Sequence, residues 1–341
     1  MKKIFVTTLI LIIALSFILV GCGSQDSSSL NSDKSSPEPS TADKVFKIGI
    51  SQFVEHPALD AACKGFIDGL KEAGFEEGKN LNILIENAQA DFPTTQAIAS
   101  KLIAEKVDLI LAIATSSAQA AANATKDIPI LVTAVTDPVD AGLVKSLEKP
   151  ETNVTGTTDL NPVYEQLELL KEILPEAKKV GIVYNAAEPN SVIQVNIAKE
   201  SAKQLGLEIL EATVANTSEV NQAIQSLIRK VDVIYTPTDN TVASAISNIV
   251  KVANDAKIPV IGAERGHVDG GALATLGIDY YLLGKQTGMV AARVLNGEAP
   301  ADIPVEGSKD LKLIINKKSA DILGLSVPEQ VLSRADEIIE K

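Results

Sequence analysis

The chain has 341 residues, a net charge of −13, and 45% hydrophobic against 22% charged residues. That length exceeds what one core usually holds, so two domains are expected, with the composition of a soluble globular protein plus one apolar segment. The acidic balance repels phosphate backbones and argues against nucleic acid as a partner. The two Cys and two His nearly exclude a His/Cys zinc site.

In chain order, Met1-Lys2-Lys3 gives a positive start and Ile4 to Val20 is almost wholly apolar. This is the pattern of a secretory signal, slightly short for a membrane anchor. Its ending, Leu19-Val20-Gly21-Cys22, resembles the lipobox of bacterial lipoproteins, which implies a signal over 1–21 and lipidation at Cys22. Cys63 is then the one thiol of the folded part, and no disulfide is available there. Residues 22–43 are rich in Ser, Pro, Asp and Asn and have one apolar residue, Leu30. Such a segment cannot bury enough surface to fold, and it reads as a tether reaching about 25 Å. The expected picture is a globular protein held just outside a membrane.

The folded part alternates strands and helices. Strands are predicted at 45–51, 81–86, 109–114 and 128–135, and helices at 58–73, 94–106 and 116–125. That alternation implies a parallel sheet covered on both faces. The series then repeats. "KVDLILAIATSS" from Lys106 has a partner in "KVDVIYTPTDNT" from Lys230, "IPILVTA" from Ile128 in "IPVIGAE" from Ile258, and "VFKIGIS" in "KKVGIVYN". The fold class read from this is α/β, with two similar doubly wound parallel-sheet lobes.

In open α/β sheets ligands bind beyond the carboxyl ends of the strands. Thr115, Ser116 and Ser117 fall where a strand hands over to a helix, whose free N–H groups and positive end suit a carboxylate. One of them could equally be an N-cap. Asp239 and Asn240 hold the matching place in the other lobe. Asp239 reads either as a cap or as a grip for an ammonium group. A carboxylate grip in one lobe and an ammonium grip in the other is what an amino acid requires.

"ISQFVEHPALDAACKGFIDGL", "ENAQAD", "VTDPVDAGLV", "NVTGTTD" and "YTPTDN" together resemble the ABC transporter substrate-binding family that includes streptococcal tryptophan-binding lipoproteins. The resemblance covers about 44–328. It implies a type I bilobed fold with a three-strand hinge and an aromatic or other apolar amino acid as ligand. On that pattern 44–160 plus 281–302 form the first lobe and 161–280 plus 303–341 the second. The crossings fall near 159–162, 277–279 and 303–304.

The candidates this places in the first lobe are Gln52, Phe53 and Glu55, with His56 and Leu59 following, then Asn87 and Gln89, then Thr115, Ser116 and Ser117, then Thr136 and Asp137, where Asp137 before Pro138 also reads as an N-cap. In the second lobe they are Tyr184, Asn185, Asp239, Asn240 and Glu264, with Asp279 at the hinge. Phe53 and Tyr184 could stack on an aromatic ligand or simply pack in a core; Glu264 and Asp279 could be surface or capping carboxylates. His56, before Pro57, could equally only line a turn, and it does not read as a catalyst. No Gly-x-Gly-x-x-Gly, P-loop or Gly-x-Ser-x-Gly occurs, and "GKQTG" lacks the P-loop spacing.

The reading is capture rather than catalysis. A monomeric, lipid-anchored importer component, without cofactor or metal, binds a free amino acid outside a Gram-positive cell membrane. It delivers the ligand to an ABC permease and its ATPase subunits. The rival readings are an adhesive surface lipoprotein and a binding protein for a sugar or peptide. The absence of Trp counts against a sugar site.

Overall fold

The structure is a computed structural model and describes residues 44–308 and 311–340. The expected signal, Cys22 and the tether lie outside the described residues. No helix among the described residues is long and apolar enough to cross a membrane.

The first series runs β1 (Phe46–Gln52), α1 (Pro57–Glu72), β2 (Leu81–Asn87), α2 (Phe92–Ala104), β3 (Leu109–Ile113), α3 (Thr115–Ala124), β4 (Ile130–Val135) and β5 (Val154–Thr158). The chain then enters α4 (Val163–Ile173), β6 (Lys179–Asn185), α5 (Pro189–Gln204), β7 (Glu208–Val214) and α6 (Val220–Leu227). β8 (Val233–Thr236), α7 (Asn240–Ser244), α8 (Ile246–Asp255), β9 (Val260–Gly262), α9 (Arg265–Asp269) and β10 (Ala274–Ile278) complete the second series. α10 (Tyr280–Leu295), β11 (Glu306–Gly307), β12 (Leu311–Asn316), α11 (Lys317–Leu323), α12 (Glu329–Leu332) and β13 (Glu337–Ile339) follow.

Two sheets result, ordered β11-β5-β4-β3-β1-β2 and β13-β12-β10-β9-β8-β6-β7. Each is the doubly wound order, with its switch point beside the first strand of the series. The first sheet is parallel throughout. In the second, β12 runs antiparallel to β10, which alternation alone does not predict. The pairing of Leu311 with Ile278 explains it. β12 enters beside the carboxyl end of β10, having crossed from the first lobe, and must run back.

The repeat in the sequence has a physical cause. In each lobe the Asp of "KVD" accepts the backbone N–H that starts the neighbouring strand: Lys47 N to Asp108 Oδ2 and Lys179 N to Asp232 Oδ2, both 2.8 Å. The apolar runs Ile48–Ile50 and Leu109–Ile113 are buried on both faces of the first sheet. Gln166 fastens the second lobe, donating to Ala263 O (3.1 Å) and Leu276 O (2.8 Å) while accepting from Tyr235 Oη at 2.5 Å.

The third crossing corrects the expected boundary at 303. Ile303 and Val305 are buried in the first core, Thr155 Oγ1 donates to Ile303 O at 2.7 Å, and β11 pairs with β5. Free backbone groups on the edge of β5 take up this segment, so the chain leaves the first lobe only after Gly307.

After β10 the chain returns to the first lobe through α10, which lies against α1. Glycines allow that approach. A Cβ on Gly284 would stand 2.0 Å from Ala62 O, and one on Gly65 2.0 Å from Tyr281 O. Backbone cannot yield as a flexible side chain can, so overpacking here is costly. Gly284→Ala is expected to destabilise the protein by about 1–3 kcal/mol, read as a lower denaturant midpoint. An unchanged midpoint would show that the helices are not packed this closely.

Candidate functional site

The carboxyl ends of both sheets meet between the lobes. In the first lobe β3 ends at Ile113, and Ala114 turns the chain with φ 77° and ψ 155°. A residue with a Cβ is strained there by about 1–3 kcal/mol. That turn delivers Thr115, Ser116 and Ser117 as the first turn of α3. The capping alternative is settled: the N-cap position belongs to Ala114, and no side chain caps the helix. All three hydroxyl oxygens are buried without a hydrogen-bond partner. Three unpartnered hydroxyls therefore lie in the first turn, at the positive end of a ten-residue helix. β4 ends in a similar irregularity, with Ala134 at φ 55° and a register break between Val132 and Val135. It delivers Thr136, whose Oγ1 donates to Asp159 Oδ1 at 3.0 Å.

Asp159, at the first crossing, and Glu264, after β9, are 1% and 2% exposed. They line one inter-lobe pocket with Thr136, Asn190, His56 and Tyr280, and no Lys or Arg lines it. Tyr280 Oη donates to Asp159 Oδ2 at 2.6 Å. Glu264 Oε1 has no hydrogen-bond partner and stands 3.6 Å from His267 Nε2. His267 Nδ1 meets Thr236 Oγ1 at 2.9 Å and Ala263 N at 3.3 Å, which leaves Nε2 facing Glu264. Burial holds His267 down to about 3, hence neutral. Burial, then the charge of Asp159, pushes Glu264 up to about 8. Burial also raises Asp159, against the hydrogen bonds from Tyr280 and Thr136.

The matching place in the second lobe is built differently. Asp239 is the N-cap of α7: Oδ1 accepts from Val242 N at 2.8 Å and Oδ2 from Asn185 N at 2.6 Å. Both oxygens are engaged, so the capping alternative is the one the structure shows. Burial, then the charge of Glu188, raises Asp239. Glu188 accepts from Asn240 N and Thr241 N, both 3.0 Å, from Asn240 Nδ2 at 2.6 Å and from Thr241 Oγ1 at 2.8 Å. Internal carboxyl groups thus fill the start of α7, whereas the start of α3 keeps its donors. Asn240 Oδ1 meets His56 Nε2 at 3.2 Å, a bond that joins the lobes.

Several expected residues lie elsewhere. Gln52 and Tyr184 hold matching places in the repeat, and the pleat turns both away from the inter-lobe pocket. Gln52 Nε2 donates to Asp60 Oδ1 (2.7 Å) and Tyr184 Oη to Glu211 Oε2 (3.0 Å). Phe53 is in the first core, its ring centroid 5.2 Å from that of Phe92. Glu55 and Gln89 are exposed, and Asn87 Oδ1 accepts from Gln89 N in a local turn. Gln52, Glu55 and Asn87 line a separate surface hollow. Asn185 Nδ2 donates to Thr241 Oγ1 at 3.0 Å and its Oδ1 accepts from Ala187 N, so it braces α7. Asp279 caps α10 through Leu282 N and lines another hollow. Thr136, Asp239, Asn240 and Glu264 line the inter-lobe pocket. Asp159, Tyr280, Asn190 and Glu188 were missed as site residues. The only signal was the position of Asp159 and Tyr280 beside two crossings. Among the described residues no group of three or more His, Cys, Asp or Glu is placed to hold a metal ion.

A family model described as ABC transporter substrate binding protein matches residues 47–339. The chain belongs to this family. This substrate-binding protein is 49% identical over 323 residues to a tyrosine-binding protein of Clostridioides difficile (strain R20291), covering 94% of this chain and 93% of that one. A solved domain from Streptococcus pneumoniae in complex with L-Trp is 40% identical, with a TM-score of 0.84, over 87% of this chain and 100% of that one. The ligand-free, open structure of a substrate binding protein with adhesive properties from Clostridium difficile is 52% identical, over 87% of this chain and 100% of that one, yet has a TM-score of 0.67. The lower score at higher identity fits a rigid-body difference in lobe arrangement. The substrate-binding protein has its lobes together, with His56 bonded to Asn240 across them.

The carboxyl groups give a pH signature. A carboxyl whose pKa is raised on folding stabilises the fold while protonated, and that contribution is lost as pH rises from its unfolded value through its folded one. The lowered His56 and His267 act in the opposite sense, but only below their ordinary value of about 6.5. Without ligand, the melting temperature is therefore expected to fall between pH 6.5 and 8. Glu264→Gln should flatten that slope; an unchanged slope would show that Glu264 ionises normally.

Proposed function

We propose that this substrate-binding protein captures a free aromatic amino acid between its lobes. The observation that carries the reading is two unlike sets of buried groups. Unpartnered hydroxyls stand at the start of α3, and Asp159 and Glu264 line the inter-lobe pocket, which no Lys or Arg lines. The first set suits a carboxylate and the second an ammonium group. The ammonium group, expected at Asp239 with Glu264 or Asp279 as backup, is assigned here to Glu264 with Asp159, because Asp239 is engaged as a cap. An aromatic side chain is supported by the L-Trp of the streptococcal complex and the tyrosine in the name of the Clostridioides difficile relative.

The proposed cycle is capture, lobe closure and delivery to a permease with its ATPase subunits, with no chemical step. Closure brings His56 to Asn240 and removes water from both sets, which strengthens each charged hydrogen bond. The lipobox-like ending at Cys22 supports anchoring of a monomer to the outer face of a cell membrane, with 22–43 as the tether.

The test is thermal unfolding of the purified protein, refolded to remove carried-over ligand, against the common free amino acids and several sugars. A ligand at a hundred times its dissociation constant adds about 2.7 kcal/mol. Tyrosine, tryptophan or phenylalanine is expected to raise the melt; a shift with sugars alone would sink the reading. Ser116→Ala/Ser117→Ala is expected to weaken binding by about 10- to 100-fold, since a hydrogen bond to a charged group contributes about 1.5–3 kcal/mol. Full affinity in that double variant would move the carboxylate elsewhere.

A further inference from the structure

We infer that His56 is a specificity-determining residue, presenting a bare ring nitrogen, Nδ1, to a hydrogen-bond donor carried on the ligand's ring. The inference rests on the aromatic amino acid reading and deepens it. It separates tyrosine and tryptophan, whose rings carry an O–H or N–H, from phenylalanine, whose ring carries neither.

A chain of hydrogen bonds fixes the orientation of His56. Backbone N–H groups can only donate, so the bonds from Asn240 N and Thr241 N, both 3.0 Å, make both oxygens of Glu188 acceptors. The Asn240 side-chain atom 2.6 Å from Glu188 Oε2 must then be its NH2 group, Nδ2. That leaves Asn240 Oδ1, an acceptor, facing His56 Nε2 at 3.2 Å. Nε2 therefore carries the proton. Burial lowers His56 from its ordinary value, so the ring is neutral and Nδ1 keeps a lone pair.

Nδ1 is buried and has no hydrogen-bond partner, and His56 as a whole is 7% exposed. A buried acceptor left unpaired is costly, and a ligand group that pairs it recovers that cost. His56 lines the same pocket as Asp159 and Glu264. The pocket's apolar lining lies close by, with Leu59 one turn further along α1 and Ala134 at the end of β4. Asn190 Oδ1 is a second unpartnered acceptor in this pocket. Its own amide, however, is bonded to Thr238 O and Glu188 Oε2 in the polar part of the second lobe.

A site built to pair a ligand O–H or N–H rejects the analogue that lacks it, because its own polar group is then stranded. The test is calorimetric titration with L-tyrosine, L-tryptophan and L-phenylalanine, reading the ratio of affinities. Loss of lobe closure would affect all three alike, so the ratio isolates the acceptor. The parent protein is expected to prefer tyrosine or tryptophan over phenylalanine by about tenfold or more. His56→Gln keeps an N–H for Asn240 and has nothing at the place of Nδ1; the preference should collapse to within about threefold, with phenylalanine binding retained as proof of folding. His56→Asn keeps an acceptor near that place and should retain much of the preference. Equal affinity for all three in the parent, or an undiminished preference in His56→Gln, overturns the inference and leaves the aromatic reading standing. No binding of any of the three overturns both.

Discussion

Two carboxyl groups buried between the lobes without a cation set the terms for this cleft. Isolated buried charge is expensive, and proteins answer it by pairing or by neutralisation. Asp159 has Tyr280 and Thr136 as donors. Glu264 leaves Oε1 unpartnered, 3.6 Å from His267 Nε2, and burial, then the charge of Asp159, pushes it up to about 8 against a hydrogen bond from Tyr280. A bound ammonium group would replace the proton held there.

The two lobes share an architecture but not a chemistry. Both keep the Asp that starts the first strand of the series and the same doubly wound order. They differ at the start of the helix after the third strand. In the first lobe that helix begins with three unpartnered hydroxyls behind a strained Ala114. In the second, Asp239 and Glu188 satisfy it from within. One lobe is thereby left open to an anion. The other is closed to anions and offers Asn240 to His56 across the cleft. The two lobes thus differ at one helix start within a shared architecture, and the proposed two-ended site rests on that difference.

Most of the fold was legible because its signals are local. Apolar runs buried on both faces gave the strands, and the repeated "KVD" gave the lobes. The antiparallel β12 and the attachment of 303–307 to β5 were not, since both depend on pairings between distant segments. The positions of Thr115, Ser116, Ser117 and Glu264 just after strands were legible in the sequence. The roles of Asp159, Tyr280 and Glu188 were not, because each is defined by partners far along the chain: Tyr280 is 121 residues from Asp159, and Glu188 is 52 from Asn240. The rings of Phe53 and Tyr184 misled for a different reason. A strand end places two successive side chains on opposite faces, and sequence alone does not say which of them meets the cleft.

Replacement of a proton on Asp159 and Glu264 by the ligand's ammonium group is the central claim for this cleft. Calorimetric titration of the protein with L-tyrosine or L-tryptophan near pH 7, in two buffers of different ionisation enthalpy, reads the protons exchanged per ligand bound. Release of a substantial fraction of a proton is expected, because the carboxyl pushed up to about 8 is returned to its charged form. Tight binding with no proton release, or with uptake, would contradict the account and place the ligand's amino group elsewhere.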